Sequence, residues 1–292
     1  MILHHFSFRI SLKTVLGLVA VAGLASGFVV WTMPPDDDAA EAELLLERGF
    51  DVQVAHESFW GLPWTEHTIV TKIYFARSPQ EFSSDNPPLP IDPEAIAAIQ
   101  ACGNLRTLQL EGCNLRSEDL AALKTRTIRH LSFSNTAIDD RFLDQLPPNN
   151  TLGTLDIHGT RVTDAGLRKL AGCQALMHLE VGGPEVTGSF LPVIAKLPQL
   201  HFLYIASGPL EPHYLACLAD SELDILWVAC KPSSLPVESL LKSNLYNINF
   251  FCPQPLDAAD RLVIETLQTS RHQTECRVNF GPPEFADARA NP

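Results

Sequence analysis

The chain of 292 residues repeats one apolar pattern at a nearly constant interval. The pattern is apolar-x-x-apolar-x-apolar, and consecutive copies begin 22 to 24 residues apart. Its seven copies are Leu105/Leu108/Leu110, Ile128/Leu131/Phe133, Leu152/Leu155/Ile157, Leu176/Leu179/Val181, Leu200/Leu203/Ile205, Leu223/Leu226/Val228 and Leu245/Ile248/Phe250. Unrelated segments do not keep such a register, so each copy is predicted to fold as the same structural unit.

The copy from Leu152 to Leu170 indicates what one unit contains. In a strand, Leu155 and Ile157 point to one side and the residues between them point to the other. After the turn, Thr163 or Asp164 can cap a short helix whose leucines close the core from behind. One unit cannot bury its own apolar face, so neighbouring units must stack. The interval lies in the range of the leucine-rich repeat, which predicts an α/β fold: a curved solenoid of parallel strands and helices.

An eighth, degenerate copy precedes the seven, with Val70, Ile73 and Phe75 as its triplet. Its helix is predicted at Ile91 to Gln100. A Pro- and Ser-rich insertion at Ser78 to Pro90 separates the two and is predicted to form a loop on the rim.

The other end of the array is predicted to carry a cap. Asp257 to Ser270 has the pattern of an amphipathic helix, and Val278 with Phe280 indicates a last strand. Gly281 to Pro292 has no apolar period, which is typical of a disordered tail.

Residues Val15 to Met33 contain no charged side chain. At about 1.5 Å per residue, a helix of this length spans the hydrocarbon core of a bilayer, so a transmembrane signal-anchor is predicted. A signal sequence cleaved after Ala25 or Gly27 is the alternative. Gly23 and Gly27 have the spacing of a weak helix self-association motif.

The charges that flank this segment predict its orientation. Arg9 and Lys13 precede it, and Asp36, Asp37 and Asp38 follow it. Basic residues stay on the cytoplasmic side, so the repeats are expected to be extracytoplasmic in a single-pass membrane protein.

The predicted organisation therefore has five parts. They are a short cytoplasmic N-terminus at residues 1–14, a transmembrane helix at 15–33, a juxtamembrane helix-strand cap at 34–68, a leucine-rich repeat solenoid at 69–280 and a disordered tail at 281–292.

Charge and cysteine content exclude several classes of partner and site. The chain has a formal net charge of −13, and the residues after Met33 hold 19 basic and 34 acidic side chains, a charge of −15. Such a surface is unsuited to nucleic acid or anionic lipid. Seven cysteines without a C-x-x-C pair predict neither a zinc site nor a disulfide framework. Cys230 and Cys252 occupy equivalent positions of adjacent repeats, so a disulfide between them is left open.

Three segments resemble bacterial membrane-anchored leucine-rich repeat proteins. Phe6 to Leu16, followed by the apolar run, resembles their amino-terminal anchor, and Ala42 to Val52 resembles their helix-glycine-strand lead-in. The motif Gly159-Thr-Arg-Val-Thr-Asp-Ala-Gly-Leu167 matches their Thr-x-Val-Thr-Asp-x-Gly-Leu repeat. The resemblance covers Phe6 to Phe280 and implies fold and membrane placement, because members mostly lack an assigned activity.

The repeats depart from this pattern toward the C-terminus. The inward polar position is Cys113, Thr136 and Thr160 in the first three copies. In the last four copies it is Pro184, Gly208, Lys231 and Pro253. The hydrogen-bonded ladder at this position is therefore predicted to be lost in the C-terminal half.

Several outward strand positions carry polar residues whose side chains could bind a metal ion. We call the side of the sheet away from the core, which is concave in a curved array, the outer sheet face. His130, Asp156, His158, His178 and Glu180 are predicted to lie there on adjacent strands, where they could hold a divalent cation or form a solvated polar surface.

No motif of a known catalytic site occurs in the chain, so no catalytic residue, cofactor or metal is predicted. A metal-dependent hydrolase that uses Asp156, His158 and Glu180 is the alternative from another functional class. A ubiquitin-ligase substrate adaptor also carries such repeats, but the stretch between the anchor and Trp64 is too short for its helical domain.

Further along the outer sheet face the pattern becomes apolar. Six large side chains are predicted at outward positions of three successive repeats: Phe202, Tyr204, Ile225, Trp227, Tyr246 and Phe251. The inward positions are already filled by the triplets, so these residues predict a surface that binds a protein or another macromolecule, with Tyr204 and Trp227 at its centre. The alternative is that the terminal helix or the tail after Gly281 covers them.

Overall fold

A computed structural model describes residues 37–58, 66–76, 88–125, 127–146, 151–206, 208–252, 254–269 and 274–280. The chain divides into two compact units, Met1–Pro35 and Asp36–Pro292, and the description concerns the second. The predicted membrane segment with its flanks, most of the rim loop and the tail lie outside the described residues. Within the described ranges, no helix is long and apolar enough to span a bilayer.

One sheet of ten strands runs through the second unit in sequence order. β1 pairs with β2 antiparallel, and every later pair is parallel. The strands are β1 Asp51–Ser58, β2 Glu66–Ala76, β3 Thr107–Glu111, β4 His130–Ser132, β5 Thr154–Asp156, β6 His178–Val181, β7 Phe202–Ile205, β8 Ile225–Val228, β9 Asn247–Cys252 and β10 Glu275–Phe280. The predicted parallel solenoid of α/β repeats is confirmed.

The middle residues of the triplets form one continuous row through the core. Leu108 pairs with Ile73 on one side and Leu131 on the other, and the same register continues to Leu226 and Ile248. All of them are buried. Because a slip of one residue would turn this row toward water, the apolar period alone fixes the register of the sheet.

Short helices return the chain from each strand to the next. The α-helices are α1 Ala39–Glu47, α2 Pro93–Ala101, α3 Asp140–Gln145, α4 Asp164–Leu167, α5 Leu191–Ile194, α6 Val237–Leu240 and α7 Ala258–Gln268. Four 3₁₀ helices complete the described helical segments: Ser117–Thr125, Arg168–Gly172, Pro212–Asp220 and Pro232–Ser234. Thr163 caps α4 as the sequence predicts, because its hydroxyl oxygen accepts the N–H groups of Ala165 and Gly166.

Both ends of the array are attached through buried carboxylates. Before α1, Asp38 accepts the N–H of Val70 in β2 at 2.8 Å. In α7, Asp260 accepts the N–H of Ser233 in the neighbouring repeat at 3.0 Å. Asp260 also closes a reciprocal cap with Asp257 at the start of α7. Each cap is thereby tied to the repeat it covers.

A ladder of inward hydroxyl groups stabilises the turns of the N-terminal repeats. Thr136 and Thr160 are buried, and each donates its hydroxyl to a backbone carbonyl three residues earlier, at 2.7 Å in both cases. Cys113 makes the same contact through sulfur at 3.6 Å to Leu110. These bonds satisfy carbonyl groups that would otherwise be buried without a partner.

The C-terminal repeats lack inward threonines at the described positions of this ladder, because Pro184, Gly208 and Lys231 are exposed there, as a lost ladder predicts. The corresponding carbonyls of Val181 and Ile205 accept backbone N–H groups of the next repeat, from Ala206 at 2.7 Å and from Ala229 at 3.1 Å. A separate set of buried serines lies two residues before a triplet, where Ser221 donates to the Leu218 carbonyl at 2.9 Å and Ser243 to the Leu240 carbonyl at 2.6 Å.

The Thr-Asp-x-Gly part of the repeat motif connects adjacent units. Asp140 accepts both the N–H and the hydroxyl of Thr163 in the next repeat, at 2.8 and 2.7 Å. Asp164 makes the equivalent contacts with Thr187. A Cβ at Gly166 would lie 2.1 Å from the Asp140 carboxylate, so the close approach of Asp140 requires glycine there.

Cys230 and Cys252 are neighbours, as predicted, but both are free thiols. The Cys252 thiol donates to the backbone carbonyl of Cys230 at 3.3 Å. Burial raises the pKa of the Cys230 thiol to about 12, which keeps it protonated and unreactive at neutral pH.

Candidate functional site on the outer sheet face

The outer sheet face divides into two regions of opposite character. Strand pairing places Ser132, Asp156, Glu180, Tyr204 and Trp227 in one row across β4 to β8. The first part of this row is polar and the second is aromatic. We call them the polar half, on β3 to β6, and the apolar half, on β7 to β9.

The polar half is a connected cluster of carboxyl, hydroxyl and imidazole groups. The Ser132 hydroxyl lies 2.9 Å from Glu111 Oε1 and 3.0 Å from Asp156 Oδ2. Asp156 Oδ1 is 2.7 Å from Nδ1 of His158. A hydroxyl has a single proton, so Ser132 cannot give a full hydrogen bond to both carboxyl groups.

His158 supplies the positive charge in this cluster. Burial has the largest effect and favours its neutral ring. Asp156 opposes it through charge and a hydrogen bond, and the charges of Glu180 and Glu111 add to this effect, so together they raise the pKa of His158 to about 9. The ring is therefore an imidazolium at neutral pH.

The predicted metal ligands do come together in space. Among the described residues, Asp156, His158 and Glu180 offer donor atoms that all lie within 4.8 Å of one another. Each of the three is already engaged, because Asp156 pairs with His158 and Glu180 Oε1 contacts His178 at 2.6 Å. A metal would have to displace the proton of a ring whose pKa is raised, so the donor set fits an internal ion cluster better than a metal site.

The other two histidines predicted in this polar group, His130 and His178, have different surroundings. His130 lies apart from the cluster and contacts the Thr154 hydroxyl at 3.0 Å. Burial, followed by the nearby charge of Lys72, lowers its pKa. His178 joins the two halves, because its ring stacks on Phe202 with centroids 3.9 Å apart.

The apolar half is a second hydrophobic cluster, separate from the core. It contains Phe202, Tyr204, Ala206, Trp227, Ala229 and Phe251. The Trp227 ring meets Phe202 edge-on at 5.2 Å and Tyr204 at 6.0 Å, and the Tyr204 and Phe251 rings are 5.6 Å apart. Mutual contacts of this kind hold aromatic rings in fixed positions on a surface.

Burial within this cluster corrects the predicted centre of the surface. Tyr204 is 4% exposed and Phe251 is 3% exposed, so these rings form the floor and offer little area to a partner. Phe202, Ile225 and Trp227 are half-buried and provide the accessible apolar surface. The prediction missed this difference because it considered strand alternation and not contacts between rings on adjacent strands.

Tyr246 is not part of the cluster, contrary to the prediction. It precedes β9, occupies the position of Asp224 in the previous repeat and is 51% exposed. The outward residues of β9 are Asn247 and Asn249, which pair with Ile225 and Trp227.

Asn249 is a site residue that the sequence analysis did not identify. Its side chain is 6% exposed, and within the described part of the chain its Oδ1 atom has no hydrogen-bond partner. The Oδ1 atom of Asn247 is also buried and has no hydrogen-bond partner among the described residues. The inward positions of Ile248 and Phe250 were the available signal, because alternation places both asparagines on the outer sheet face.

The predicted covering of the apolar half by the terminal helix is not observed. Leu267 of α7 belongs to the main core, and Val263 and Ile264 pack against that core on the helix side of the sheet. The tail after Gly281 lies outside the described residues.

No known protein-family profile and no curated protein matches the chain. Among solved structures it is similar to an internalin from Listeria monocytogenes, with 17% identity and a TM-score of 0.44 over 63% of this chain and 50% of that one. It is also similar to the leucine-rich repeat ectodomain of the receptor kinase SOBIR1 from Arabidopsis thaliana, with 14% identity and a TM-score of 0.29 over 77% and 100% of the two chains. The chain thus spans half the length of the internalin that it matches.

A third similarity is to the plant peptide hormone receptor RGFR1, solved in complex with RGF2. The identity is 13% and the TM-score 0.31, over 63% of this chain and 34% of that one.

Proposed function

We propose that this chain is a membrane-anchored, extracytoplasmic leucine-rich repeat protein that binds a protein partner through its outer sheet face. The apolar half is the observation that carries the proposal. Its rings lie on the solvent side of the sheet, while the core beneath them is completed by Leu203, Leu226 and Ile248. Folding does not require large rings at these positions, whereas binding benefits from them.

The packing of the rings suits this role. Trp227 is held by Phe202 and by the buried rings of Tyr204 and Phe251, and Phe202 is held between Trp227 and the ring of His178. Side chains that are already ordered lose little conformational entropy when a partner binds, and such aromatic residues commonly dominate the binding energy of an interface.

Site-specific photo-crosslinking in cells tests the binding surface. A photoreactive residue at Ile225 is expected to form a covalent adduct with one distinct protein, because Ile225 borders the apolar half. The matched control is Leu262, which is exposed on α7. An adduct at Leu262 and none at Ile225 would place the binding surface on the helix side and refute the proposal.

The membrane placement is supported by the sequence alone. The uncharged segment Val15 to Met33, with Arg9 and Lys13 before it, favours an anchor with the repeats outside. Protease added to intact cells is expected to digest the repeats while a reporter fused at the N-terminus stays protected. Extraction of the protein from membranes by carbonate would contradict the anchor.

The hydrolase alternative is less well supported. Asp156, His158 and Glu180 are close enough to share a cation, but the raised pKa of His158 opposes metal ligation. Metal analysis of the purified chain separates the two functions: stoichiometric Zn²⁺ that is lost in a His158→Gln variant would favour the hydrolase.

A further inference from the structure

We infer that the outer sheet face carries a site for a phosphate group on β2 to β4, formed by Lys72, Thr107 and Arg129 with Arg106 beside them. We call these four residues the basic end. The inference goes beyond the proposed function, because the apolar half lies on other strands and takes no part in it. The phosphate could belong to a lipid headgroup or to a soluble phosphate ester, and its recognition is the same in both cases.

Strand register brings the basic end together. Lys72 on β2 is opposite Thr107 on β3, and Thr107 is opposite His130 on β4. Arg129 precedes His130, and its backbone N–H donates to the Arg106 carbonyl at 2.8 Å. Neighbouring strands lie about 4.8 Å apart, so the three long cationic side chains can reach one small anion. Burial has the largest effect in lowering the pKa of His130, and the charges of Lys72 and Arg129 lower it further, which indicates that both cations lie near this ring.

The three cations have no partner among the side chains that the structure describes. Lys72, Arg106 and Arg129 form neither an ion pair nor a side-chain hydrogen bond with the described part of the chain. Like charges on neighbouring strands are destabilising. The fold therefore gains nothing from this arrangement, whereas an anion bound between the cations would offset their repulsion.

Two carboxylates of the outer sheet face lie two residues further along the strands. Asp51 is opposite Tyr74, and Asp156 is opposite Ser132. Asp156 already pairs with His158 at 2.7 Å, and neither carboxylate forms an ion pair with the basic end. The local charge is thus positive, although the chain as a whole has a formal net charge of −13. The unfavourable net charge that argues against anionic ligands does not describe this end of the sheet.

Thr107 adds a buried hydroxyl group between the cations. Its neighbour Leu108 is in the core, so alternation places Thr107 on the outer sheet face. Thr107 is 6% exposed, and its hydroxyl forms no hydrogen bond with another described residue. A hydroxyl group and cations that all lack a protein acceptor are suited to one anion that accepts from each of them.

A phosphate monoester matches these donors better than a carboxylate. It carries a charge of about −1.5 to −2 at neutral pH and three acceptor oxygens, whereas a carboxylate has one charge and two oxygens. The guanidinium group of Arg129 can bind two phosphate oxygens in parallel. The ammonium group of Lys72 and the hydroxyl of Thr107 are then available to the third.

The position of β2 along the chain suggests where the phosphate comes from. Asp38 attaches the segment after the predicted anchor to β2, because it accepts the N–H of Val70 at 2.8 Å. Lys72 follows Val70 by two residues. In a membrane-anchored chain this position makes a lipid headgroup one source of the phosphate, and a soluble phosphate ester is the other.

Calorimetric titration of the full-length chain in maltoside micelles with inorganic phosphate tests the inference. One phosphate is expected to bind per chain, and acetate at the same ionic strength is expected to bind about tenfold more weakly. Lys72→Gln and Arg129→Gln should each weaken phosphate binding about tenfold, and Thr107→Val about threefold. Lys196→Gln is the matched control and should leave binding unchanged, because it removes one positive charge at an exposed residue of another repeat.

Competition distinguishes the two sources. Phosphatidic acid added to the same micelles and glycerol phosphate added to the solution carry the same phosphate monoester. Stronger displacement of inorganic phosphate by phosphatidic acid would assign the site to a lipid headgroup. Stronger displacement by glycerol phosphate would assign it to a soluble ester.

Three results would overturn the inference: no binding of phosphate, equal affinities for phosphate and acetate, or equal phosphate affinities of the wild type and the folded Lys72→Gln or Arg129→Gln variant. Thermal melting shows which variants are folded. Lys72 and Arg129 lie on different parts of the sheet, so either variant decides if the other does not fold. None of these results bears on the apolar half, and the crosslink at Ile225 still decides on the proposed function.

Discussion

The polar and apolar halves of the outer sheet face lie on the same sheet but have almost opposite surfaces. From β5 to β8 the middle inward residue is leucine in every strand, while the outward row changes from Asp156 and Glu180 to Tyr204 and Trp227. The inward residues carry the fold in both halves. The outward residues are therefore free to differ without loss of the fold.

The interior of the repeats differs between the two halves as well. In the N-terminal repeats an inward threonine such as Thr160 donates to the carbonyl of the last triplet residue. In the C-terminal repeats the corresponding carbonyls of Val181 and Ile205 accept a backbone N–H of the next repeat instead. Loss of the repeat consensus therefore leaves these carbonyls satisfied by the backbone, while serines such as Ser221 add a hydroxyl to the turn before the strand.

A charge in the row of middle inward residues is expected to have the largest effect, and the same effect in both halves. Leu155→Asp and Leu226→Asp each place a carboxylate in the continuous core, so the free energy of unfolding should fall by more than about 4 kcal/mol. Thr154→Asp, at an outward position, is the control. Chemical denaturation followed by circular dichroism measures all three, and a cost confined to one half would mean that the core is not continuous.

Gly166→Ala tests the connection that Asp140 makes with Thr163 between adjacent repeats of the N-terminal half. The new Cβ would collide with the Asp140 carboxylate, so a loss of about 2–3 kcal/mol in the free energy of unfolding is expected. Gly172→Ala is the control, because a Cβ there meets no atom within 4 Å. Equal melting temperatures of the two variants would show that Asp140 does not require glycine at residue 166.

The polar half is expected to make stability depend on pH. The pKa of His158 is raised from 6.5 to about 9 in the folded chain, so its contribution is complete below pH 6.5 and disappears as the pH rises through 9. Over this interval the free energy of unfolding should fall by about 1–3 kcal/mol more in the wild type than in a His158→Gln variant. The comparison of the two proteins cancels the titration of the cysteines. Identical pH profiles would show that His158 is neutral in the folded chain.

The inward threonines and the buried serines are expected to contribute similar, smaller amounts. Thr160→Val removes the hydroxyl donor of the buried Ile157 carbonyl, and Ser221→Ala removes the hydroxyl that the Leu218 carbonyl accepts beside the backbone N–H of residue 221, so each should cost about 1 kcal/mol. Thr266→Val removes a comparable bond to the Leu262 carbonyl on the exposed side of α7 and should cost less. If Ser221→Ala costs no more than Thr266→Val, the serine hydroxyls do not stabilise the C-terminal repeats.

The sequence was sufficient to predict the register of the sheet, the helix capped by Thr163 and the approach of Asp156, His158 and Glu180. Each of these depends on the period of the repeat, which is visible in the amino-acid sequence. The burial of Tyr204 and the unsatisfied amide of Asn249 could not be predicted from the period, because they depend on how side chains from different strands pack. The place of Tyr246 was available from the period, because the triplets align Tyr246 with Asp224 and Asn247 with Ile225.

The contact between Asp260 and Ser233 has a consequence for how the molecule opens. A linear array of repeats loses its terminal units first, because each end unit has a neighbour on one side only. Here the last helix holds a backbone N–H of the repeat before it, so α7 cannot detach without exposing a buried carboxylate and freeing that repeat. At this end the detachment of α7 and the unfolding of the preceding repeat therefore occur together. A protease is expected to cleave this end rarely, but each opening exposes more than one repeat to it.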